Sequence, residues 1–535
     1  MLTSIQEPCD ESVIHSRVAS APCSKLTGRW VLVATTLASS MAFIDSTVVN
    51  VALPALQANL NATIVDVQWV IEAYSLLLSA LLLVGGSLGD HYGRRRVFMI
   101  GVALFAVAST WCGLALNIHQ LIVARAAQGL GAALLVPGSL AIISSSFPEK
   151  ERGRAIGTWS GFSAITTAVG PVIGGWLIEH LSWRAIFFIN VPIALVIIFI
   201  SLRCVPESLD KESKGLDWSG AILVTIGLGA LVYGMIESSQ LGFADRSVFA
   251  ALVAGVALLV LFLIIETRMS NPMLPLVLFR SRTFTGANLL TFFLYGALSG
   301  TLFFLPLNLI QVQHYSATAA GAAFLPFILI IFLLSRWAGG LVERHGSKIP
   351  LIIGPLIAAV GFGLFVLPSL NAGYWQTFFP AVVVLGTGMA VSVAPLTTTV
   401  MNSVAQNRVG IASGVNNAVA RGAGLLAIAV LGIVMLHSFN RALDRRLAEQ
   451  NVPPAVWQSL QTQRTKLAAA SLPAELDQMT QQQVAHAIAE SFVHAFRVIV
   501  AVGATLAALS SIVAWILIGT AAQKESSRPR SITHS

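Results

Sequence analysis

Fourteen long apolar segments constrain the fold of this chain more than any other feature of its sequence. Each holds about 20 mostly apolar residues, the length that an α-helix needs to cross the hydrocarbon core of a bilayer. The segments are at 29–53, 68–88, 96–116, 120–144, 155–178, 184–203, 217–236, 247–266, 285–309, 318–341, 349–368, 377–400, 410–437 and 491–518. The 535-residue chain is 56% hydrophobic and only 10% charged, whereas soluble domains have about 25% charged residues. The sequence therefore predicts an all-α polytopic membrane protein.

The distribution of Lys and Arg between the loops predicts the orientation in the membrane. If both termini are cytoplasmic, most of the 32 basic residues lie on the cytoplasmic side, as the positive-inside rule requires. The short outer loops hold only Arg184 and Arg246. The net charge of +8 thus reflects membrane topology, and we expect no nucleic-acid partner. The predicted location is the cell (inner) membrane.

The connection at 438–490 has no apolar run long enough to span the bilayer. Its residue spacing predicts short amphipathic helices with a Gln-rich turn region. In the predicted orientation this connection lies outside the membrane, so we expect it to form an outer cap over the helices.

Sequence motifs for nucleotide binding and for catalysis are absent. No Gly-rich stretch ends in Gly-Lys-Ser or Gly-Lys-Thr, so no phosphate-binding loop is predicted. The four cysteines lack the spacing of a metal site, and no Ser-His-Asp constellation gathers at one membrane face. We expect no metal, no cofactor and no catalytic residue. A secondary transporter, a channel and a membrane enzyme remain as alternatives.

A repeat between the two halves of the chain favours the secondary transporter. GGSLGDHYGRRR (85–96) follows the second segment, and the similar GGLVERHGSK (339–348) follows the tenth. This displacement fits two six-helix bundles with two inserted central helices, and duplicated halves are the architecture of alternating access. The expected parts are a tail at 1–28, a first bundle at 29–203, two inserted helices within 204–284, a second bundle at 285–518 that includes the outer loop 438–490, and a tail at 519–535.

Four motifs resemble those of the major facilitator superfamily. GGSLGDHYGRRR is similar to its cytoplasmic signature loop, and LIVARAAQGLGAA (121–133) resembles its fourth-helix motif. AVGPVIGG (168–175) resembles its fifth-helix antiporter motif. DSTVVNVALP (45–54) resembles the first-helix motif of its fourteen-helix drug:proton antiporters. The resemblance covers about 29–518 and implies a major facilitator fold and drug export driven by the proton gradient. The second-half loop departs from the pattern at Glu343 and Ser347.

The first signature loop contains residues suited to a conformational role. The carboxylate of Asp90 can cap the N-terminus of a neighbouring helix and pair with Arg94. Gly86 and Gly93 permit a tight turn and close packing. We expect these residues to form a latch that holds one transport state, and the alternative is a basic loop that serves topology alone.

Three ionisable residues in apolar segments are candidates for proton coupling or substrate binding. Asp45, Glu72 and Arg125 are predicted at similar depth in the outer half of the first bundle. Charged groups inside a membrane are costly and usually functional. The alternatives are a structural ion pair between Asp45 and Arg125, and for Glu72 an interfacial acid that faces outer water.

In the fifth segment, Gly170 and Pro171 are expected to break the helix. The small residues Gly157, Gly161, Gly170 and Gly174, spaced by four on either side of Ala164, predict a face for close helix packing. The resemblance implies that the face around Gly170, Pro171 and Gly174 seals the cavity against ion leak.

The thirteenth segment contributes Arg421, Asn416 and Asn417 to the candidate substrate site. An Arg in the middle of the membrane must face a cavity or a partner, although a structural hydrogen-bond hub is an alternative. Aromatic residues such as Tyr295 and Phe303 could line a cavity for flat apolar compounds.

The sequence and the resemblance together predict proton-coupled multidrug efflux of amphipathic compounds, either monovalent cations or neutral molecules. The expected partners are small drug-like substrates, protons and the lipid bilayer, and the use of a periplasmic adaptor is left open. The main alternative is a proton-coupled uptake permease for a small nutrient or metabolite. A membrane enzyme or a lipid flippase is the second.

Overall fold

The computed structural model describes residues 25–209, 217–269, 272, 274–404, 409–449, 454–461, 463–470 and 477–519. The described residues form helices and no β-strand. Most of the two predicted tails lies outside the described residues, and so does part of the loop that leads to the inserted helices.

The first six predicted segments form seven helices. Their bounds are α1 Lys25–Leu60, α2 Ile64–Tyr92, α3 Arg94–Leu114, α4 Ile118–Ser146, α5 Glu149–His180, α6 Ala185–Phe188 and α7 Asn190–Cys204. Local sequence sets several of these ends. A capping box of Thr63 and Asp66 begins α2, and the side chain of Asn117 caps α4. Gly93, with φ of 107°, separates α2 from α3, a conformation that favours glycine.

The rest of the described chain contains ten helices, nine from the remaining eight segments and one from the connection at 438–490. The inserted pair is α8 Trp218–Leu241 and α9 Arg246–Arg268. The second half comprises α10 Arg282–Leu307, α11 Ala317–Ala322, α12 Leu325–His345, α13 Lys348–Leu364, α14 Phe378–Asn402, α15 Val409–Glu449, α16 Pro454–Gln461 and α17 Gln478–Leu517. A π-helical turn, Asn308–Val312, extends α10, and 3-10 turns cover Leu276–Arg280 and Arg464–Ala469.

The predicted all-α polytopic fold is confirmed. Thirteen helical stretches in the described residues are long and apolar enough to cross a membrane. The eleventh predicted segment is the shorter apolar helix α13. Pro171 lies inside α5, which continues to His180, so the predicted break in this helix is wrong. A proline removes only one backbone donor, and the flanking turns of a long helix keep their hydrogen bonds.

The connection at 438–490 differs in part from its prediction. Its two ends are helical extensions of α15 and α17, and α17 carries the Gln-rich residues 481–483 in its first turns. Gln has a high helix propensity, which fits this helical extension. The middle holds α16 and the 3-10 turn Arg464–Ala469, where Lys466 Nζ donates to Asn61 Oδ1 at 2.6 Å.

The helices group into two compact units. Unit 1 comprises Met1–Met273, Pro306–Ala323 and Arg446–Ile488, and unit 2 comprises Leu274–Leu305, Phe324–Arg445 and Ala489–Ser535. In unit 1, α4 packs closely on α2 and α3. The packing is tight because Gly129 lies against the carbonyl of Tyr74, and Gly131 lies against the backbone of Phe105. This packing brings polar residues of α4 to the centre of unit 1.

Candidate functional site

A buried ion pair lies at the centre of unit 1. Arg125 Nη1 of α4 donates to Asp45 Oδ2 of α1 at 2.5 Å, and both side chains are only 1% exposed. The structure thus contains the ion pair between Asp45 and Arg125 that the sequence analysis gave as an alternative. An ion pair out of water needs further hydrogen bonds to offset the cost of desolvation, so the neighbours of this pair matter.

Two neutral side chains complete the environment of Asp45. Gln128 Nε2 donates to Asp45 Oδ1 at 2.8 Å, and Asn190 Nδ2 of α7 donates to the same oxygen at 3.3 Å. Asn190 also donates to Ser109 Oγ of α3 at 2.9 Å. The sequence analysis missed both amides. Gln128 lies three residues after Arg125, which is one visible signal because such positions share a helix face.

Arg125 is held by three further contacts. Its Nη1 donates to Gln128 Oε1 at 2.7 Å, and its Nε donates to the carbonyl of Val70 at 3.1 Å. The guanidinium lies 4.3 Å from the centre of the Tyr74 ring, a cation–π distance. The cation is therefore fixed on one side by α2 and on the other by Asp45. Any proton bound by Asp45 would remove the anionic partner of Arg125.

Glu72 of α2 is not hydrogen-bonded to this network. The residue is fully buried, and in the described part of the chain neither carboxyl oxygen has a hydrogen-bond partner. The alternative of an interfacial acid that faces outer water is therefore wrong. An unpaired buried carboxylate is costly unless it is protonated or meets a cation.

The signature loop forms the predicted pair between Asp90 and Arg94. Arg94 Nε donates to Asp90 Oδ1 at 2.8 Å, with side chains 20% and 35% exposed, respectively. The carboxylate at the start of α3 is not Asp90 but Glu207, which accepts from the backbone N–H groups of Arg95 at 2.9 Å and Arg96 at 3.3 Å. The sequence analysis missed Glu207 because it follows α7, far along the chain. A Cβ at Gly93 would lie 2.8 Å from Glu207 Oε1, so a side chain at this position would displace the carboxylate.

Only part of the predicted glycine face of α5 makes close contacts. Gly170 lies against Thr47, and Gly174 lies against Val48, both on α1. At Gly157 and Gly161 no described atom comes within 4 Å of the position that a Cβ would occupy. The prediction of close packing at these two residues is wrong, because a small-residue spacing permits an approach without requiring one.

The adjacent face of α5 contacts α11 within unit 1. A Cβ at Gly175 would lie 2.4 Å from the carbonyl oxygen of Ala317, and one at Gly321 would lie 2.1 Å from that of Pro171. These distances leave space for hydrogen atoms only. Beyond this contact, Thr318 Oγ1 donates to Glu179 at 2.6 Å. The AVGPVIGG motif of α5 therefore contacts the backbone of α11 directly.

Unit 2 contains a small cleft of about 100 Å³. It is lined by Tyr295, Thr397, Val400, Met401, Ser413, Asn416, Asn417 and Ala420. Asn416 Nδ2 is fixed by Thr291 Oγ1 at 2.7 Å and by Asn288 Oδ1 at 3.2 Å. Two of the three predicted residues of α15 thus line one cleft. Arg421 lies one turn further along the helix and is not among the lining residues.

Comparison with known proteins places these features in a family. The family model described as Major Facilitator Superfamily matches residues 35–428. The chain belongs to the major facilitator superfamily. It is therefore a multi-pass membrane transporter of small molecules and not an enzyme, as the sequence analysis predicted.

Two curated relatives of this superfamily carry names from drug resistance. The multidrug resistance protein Stp of Mycobacterium tuberculosis is 35% identical over 79% of each chain. The tetracenomycin C resistance and export protein of Streptomyces glaucescens is 33% identical over 82% of each chain. A solved major facilitator structure, a bacterial homologue of the lysosomal transporter Spinster, has a TM-score of 0.65 and 18% identity, and covers 92% of this chain and 98% of its own. The last likeness shows the fold alone.

Proposed function

We propose that this protein exports amphipathic compounds in exchange for protons, with Asp45 as the proton-binding group. The observation that carries the proposal is the buried Asp45–Arg125 pair with its amide partners. A carboxylate in a membrane-spanning helix is a functional candidate by default. The resistance and export proteins named above support the direction of transport.

The geometry supplies a mechanism for coupling. Protonation of Asp45 removes its charge, and the Arg125 guanidinium then lies in a buried site without its anion. Such a charge costs several kcal/mol unless it finds another partner. The two protonation states of Asp45 therefore favour different arrangements of α1 and α4, and alternating exposure of this site couples protons to transport. One charge that crosses about 100 mV releases about 2.3 kcal/mol, enough to drive concentration of a substrate.

Substrates are proposed to be monovalent lipophilic cations or neutral amphipathic molecules. The unit 2 cleft offers amide and hydroxyl groups from Asn416, Asn417 and Tyr295 without an acid among its lining residues. Glu72, Arg125 and Arg421 remain predicted contacts for substrate or proton. We place the protein in the cell (inner) membrane with both termini in the cytoplasm, powered by the proton gradient without a cofactor.

Transport in proteoliposomes tests the proposal directly. An imposed proton gradient should drive ethidium uphill in the direction of export, and an uncoupler should abolish the movement. In cells, dye accumulation should rise when the uncoupler is added. A fall in accumulation on adding the uncoupler would instead support the uptake permease, and movement of labelled lipid without dye would support a flippase.

The signature loop yields a smaller expected effect. Asp90→Ala should reduce transport about two- to fivefold, because a half-exposed ion pair contributes about 1 kcal/mol at most to one state. Substrate binding in detergent should stay unchanged. Glu151→Ala is the matched control, since it removes an exposed acid in the first turn of α5. A parallel loss of binding would make Asp90 a structural or ligand-contacting residue.

A further inference from the structure

The inserted helix α8 packs along α2 in unit 1, and polar and aromatic side chains occupy this seam. Gln240 Nε2 lies 3.4 Å from Thr63 Oγ1, and Trp69 Nε1 donates to Glu237 Oε1 at 3.1 Å. Further along, Leu76 lies 3.4 Å from the position of a Cβ at Gly229. Rising residue numbers on α2 thus meet falling numbers on α8, and the two helices run antiparallel.

The spacing of residues along α2 places Glu72 on the helix face that forms this seam. It follows Trp69 by three residues and precedes Leu76 by four, and residues at such spacings are neighbours on one helix face. Both flanking residues contact α8. Glu72 is fully buried, and neither of its carboxyl oxygens has a hydrogen-bond partner within the described ranges. The seam therefore contains an acceptor group that needs a positive charge or a proton.

Neither helix supplies a cation for this acid. The sequences of α2 and α8 contain no Lys or Arg, and no ion pair of Glu72 or Glu237 occurs among the described residues. The nearby Asp66 is tied to the Thr63 cap of α2. The carboxyl groups of Glu72 and Glu237 thus lie along the seam, and neither α2 nor α8 supplies a Lys or Arg to pair with them.

Aromatic rings adjoin the two acids. The Trp69 and Tyr233 rings are 6.2 Å apart at an interplanar angle of 43°. Tyr233 is 38% exposed on a helix of the membrane-spanning set, so this side of the seam is open to the surroundings of unit 1. Aromatic faces beside a carboxylate attract organic cations through cation–π and Coulomb interactions.

We propose that the α2–α8 seam binds a monovalent lipophilic organic cation, with Glu72 and Glu237 as counter-charges and Trp69 and Tyr233 as aromatic walls. The ligand enters sideways from the bilayer, past Tyr233. This site deepens the proposed export function, on which it rests, by giving the inserted helices a part in collecting cationic substrates.

Binding of tetraphenylphosphonium to the purified full-length protein in nanodiscs tests the seam. Glu237→Gln should weaken binding about tenfold, since it removes a counter-charge in a poorly solvated site. Glu72→Gln should weaken it by at least as much. Asp245→Asn is the matched control: it removes an acid at the start of α9 and keeps a side chain that caps the helix. It should bind as the unaltered protein does.

A second pair of variants tests the aromatic wall. Tyr233→Phe keeps a ring and should bind tetraphenylphosphonium nearly as well as the unaltered protein, whereas Tyr233→Leu should weaken binding about threefold. If Glu237→Gln and Tyr233→Leu both bind normally, the cation site is elsewhere. If the unaltered protein binds no tetraphenylphosphonium, the proposal is overturned as well.

The outcomes separate this proposal from the export function. In one outcome, the unaltered protein exports ethidium in response to the proton gradient, and the seam variants bind and export tetraphenylphosphonium normally. This result would overturn the cation site and support the export function. In another outcome, Glu237→Gln loses tetraphenylphosphonium binding, but the unaltered protein shows no proton-driven export. This result would support the cation site and overturn the proposed export function. Loss of transport in Glu72→Gln with binding unchanged in all variants would assign Glu72 to protons and overturn the cation site.

Discussion

Asp45→Asn is expected to abolish uphill export while the protein stays inserted in the membrane. Asn has nearly the size of Asp and cannot bind the transported proton, so the exchange loses its coupling. The substitution also leaves the Arg125 guanidinium without its anion in a site where both side chains are 1% exposed. Breaking a buried pair costs about 3–5 kcal/mol, so a lower melting temperature should accompany the loss of transport.

A double substitution separates coupling from stability. Asp45→Asn combined with Arg125→Gln removes both charges and should recover most of the lost stability, because neither residue of the pair is then left as an unpaired buried charge. Export should stay absent in the double variant. The measurements are ethidium movement in proteoliposomes under an imposed proton gradient, and thermal unfolding in detergent. Asp245→Asn is the control for an acid outside the network. Gradient-driven export by Asp45→Asn at equal protein amount would remove Asp45 from the mechanism.

Gly175→Ala is the second substitution with a large expected effect. Its Cβ would lie 2.4 Å from the carbonyl oxygen of Ala317, so α5 and α11 must separate. Overpacking costs about 1–3 kcal/mol, which is enough to reduce the population of the packed arrangement by a factor of about 5 to 150. If this contact seals the transport path, passive proton leak should rise and coupled export should fall.

The same helix supplies the control. Gly157→Ala makes the identical change in α5 at a position with no described atom within 4 Å of the new methyl group. Proton leak is measured as the decay of an imposed pH gradient in proteoliposomes without substrate. Gly321→Ala, on the opposite side of the contact, should reproduce the effect of Gly175→Ala. Equal leak and equal export in Gly175→Ala and Gly157→Ala would exclude the sealing role.

The Asp45–Arg125 pair shows how much of the candidate site could be predicted from the sequence. Each residue is conspicuous because a charge in an apolar segment is expensive, and the two have opposite signs at similar predicted depth. The amides of Gln128 and Asn190 carry no comparable signal, since neutral polar residues are common in membrane helices. The part of Asn190 depends on α7 packing beside α1 and α3, and that of Gln128 depends on α4 packing beside α1. Local sequence specifies neither contact.

The sequence by itself determined the segments that cross the membrane and the residues with unusual charge. The length of an apolar segment and the cost of a buried charge depend on each segment separately. Both can therefore be recognised without knowing which helices pack together. The tertiary structure alone decided that Glu207 caps α3 and that Gly175 packs on α11, whereas no described atom lies within 4 Å of the Cβ position at Gly157. It also decided that Glu72 is fully buried with no hydrogen-bond partner among the described residues. Each of these depends on contacts between residues distant in the chain, where many alternative pairings have the same local sequence and only the packed helices select one.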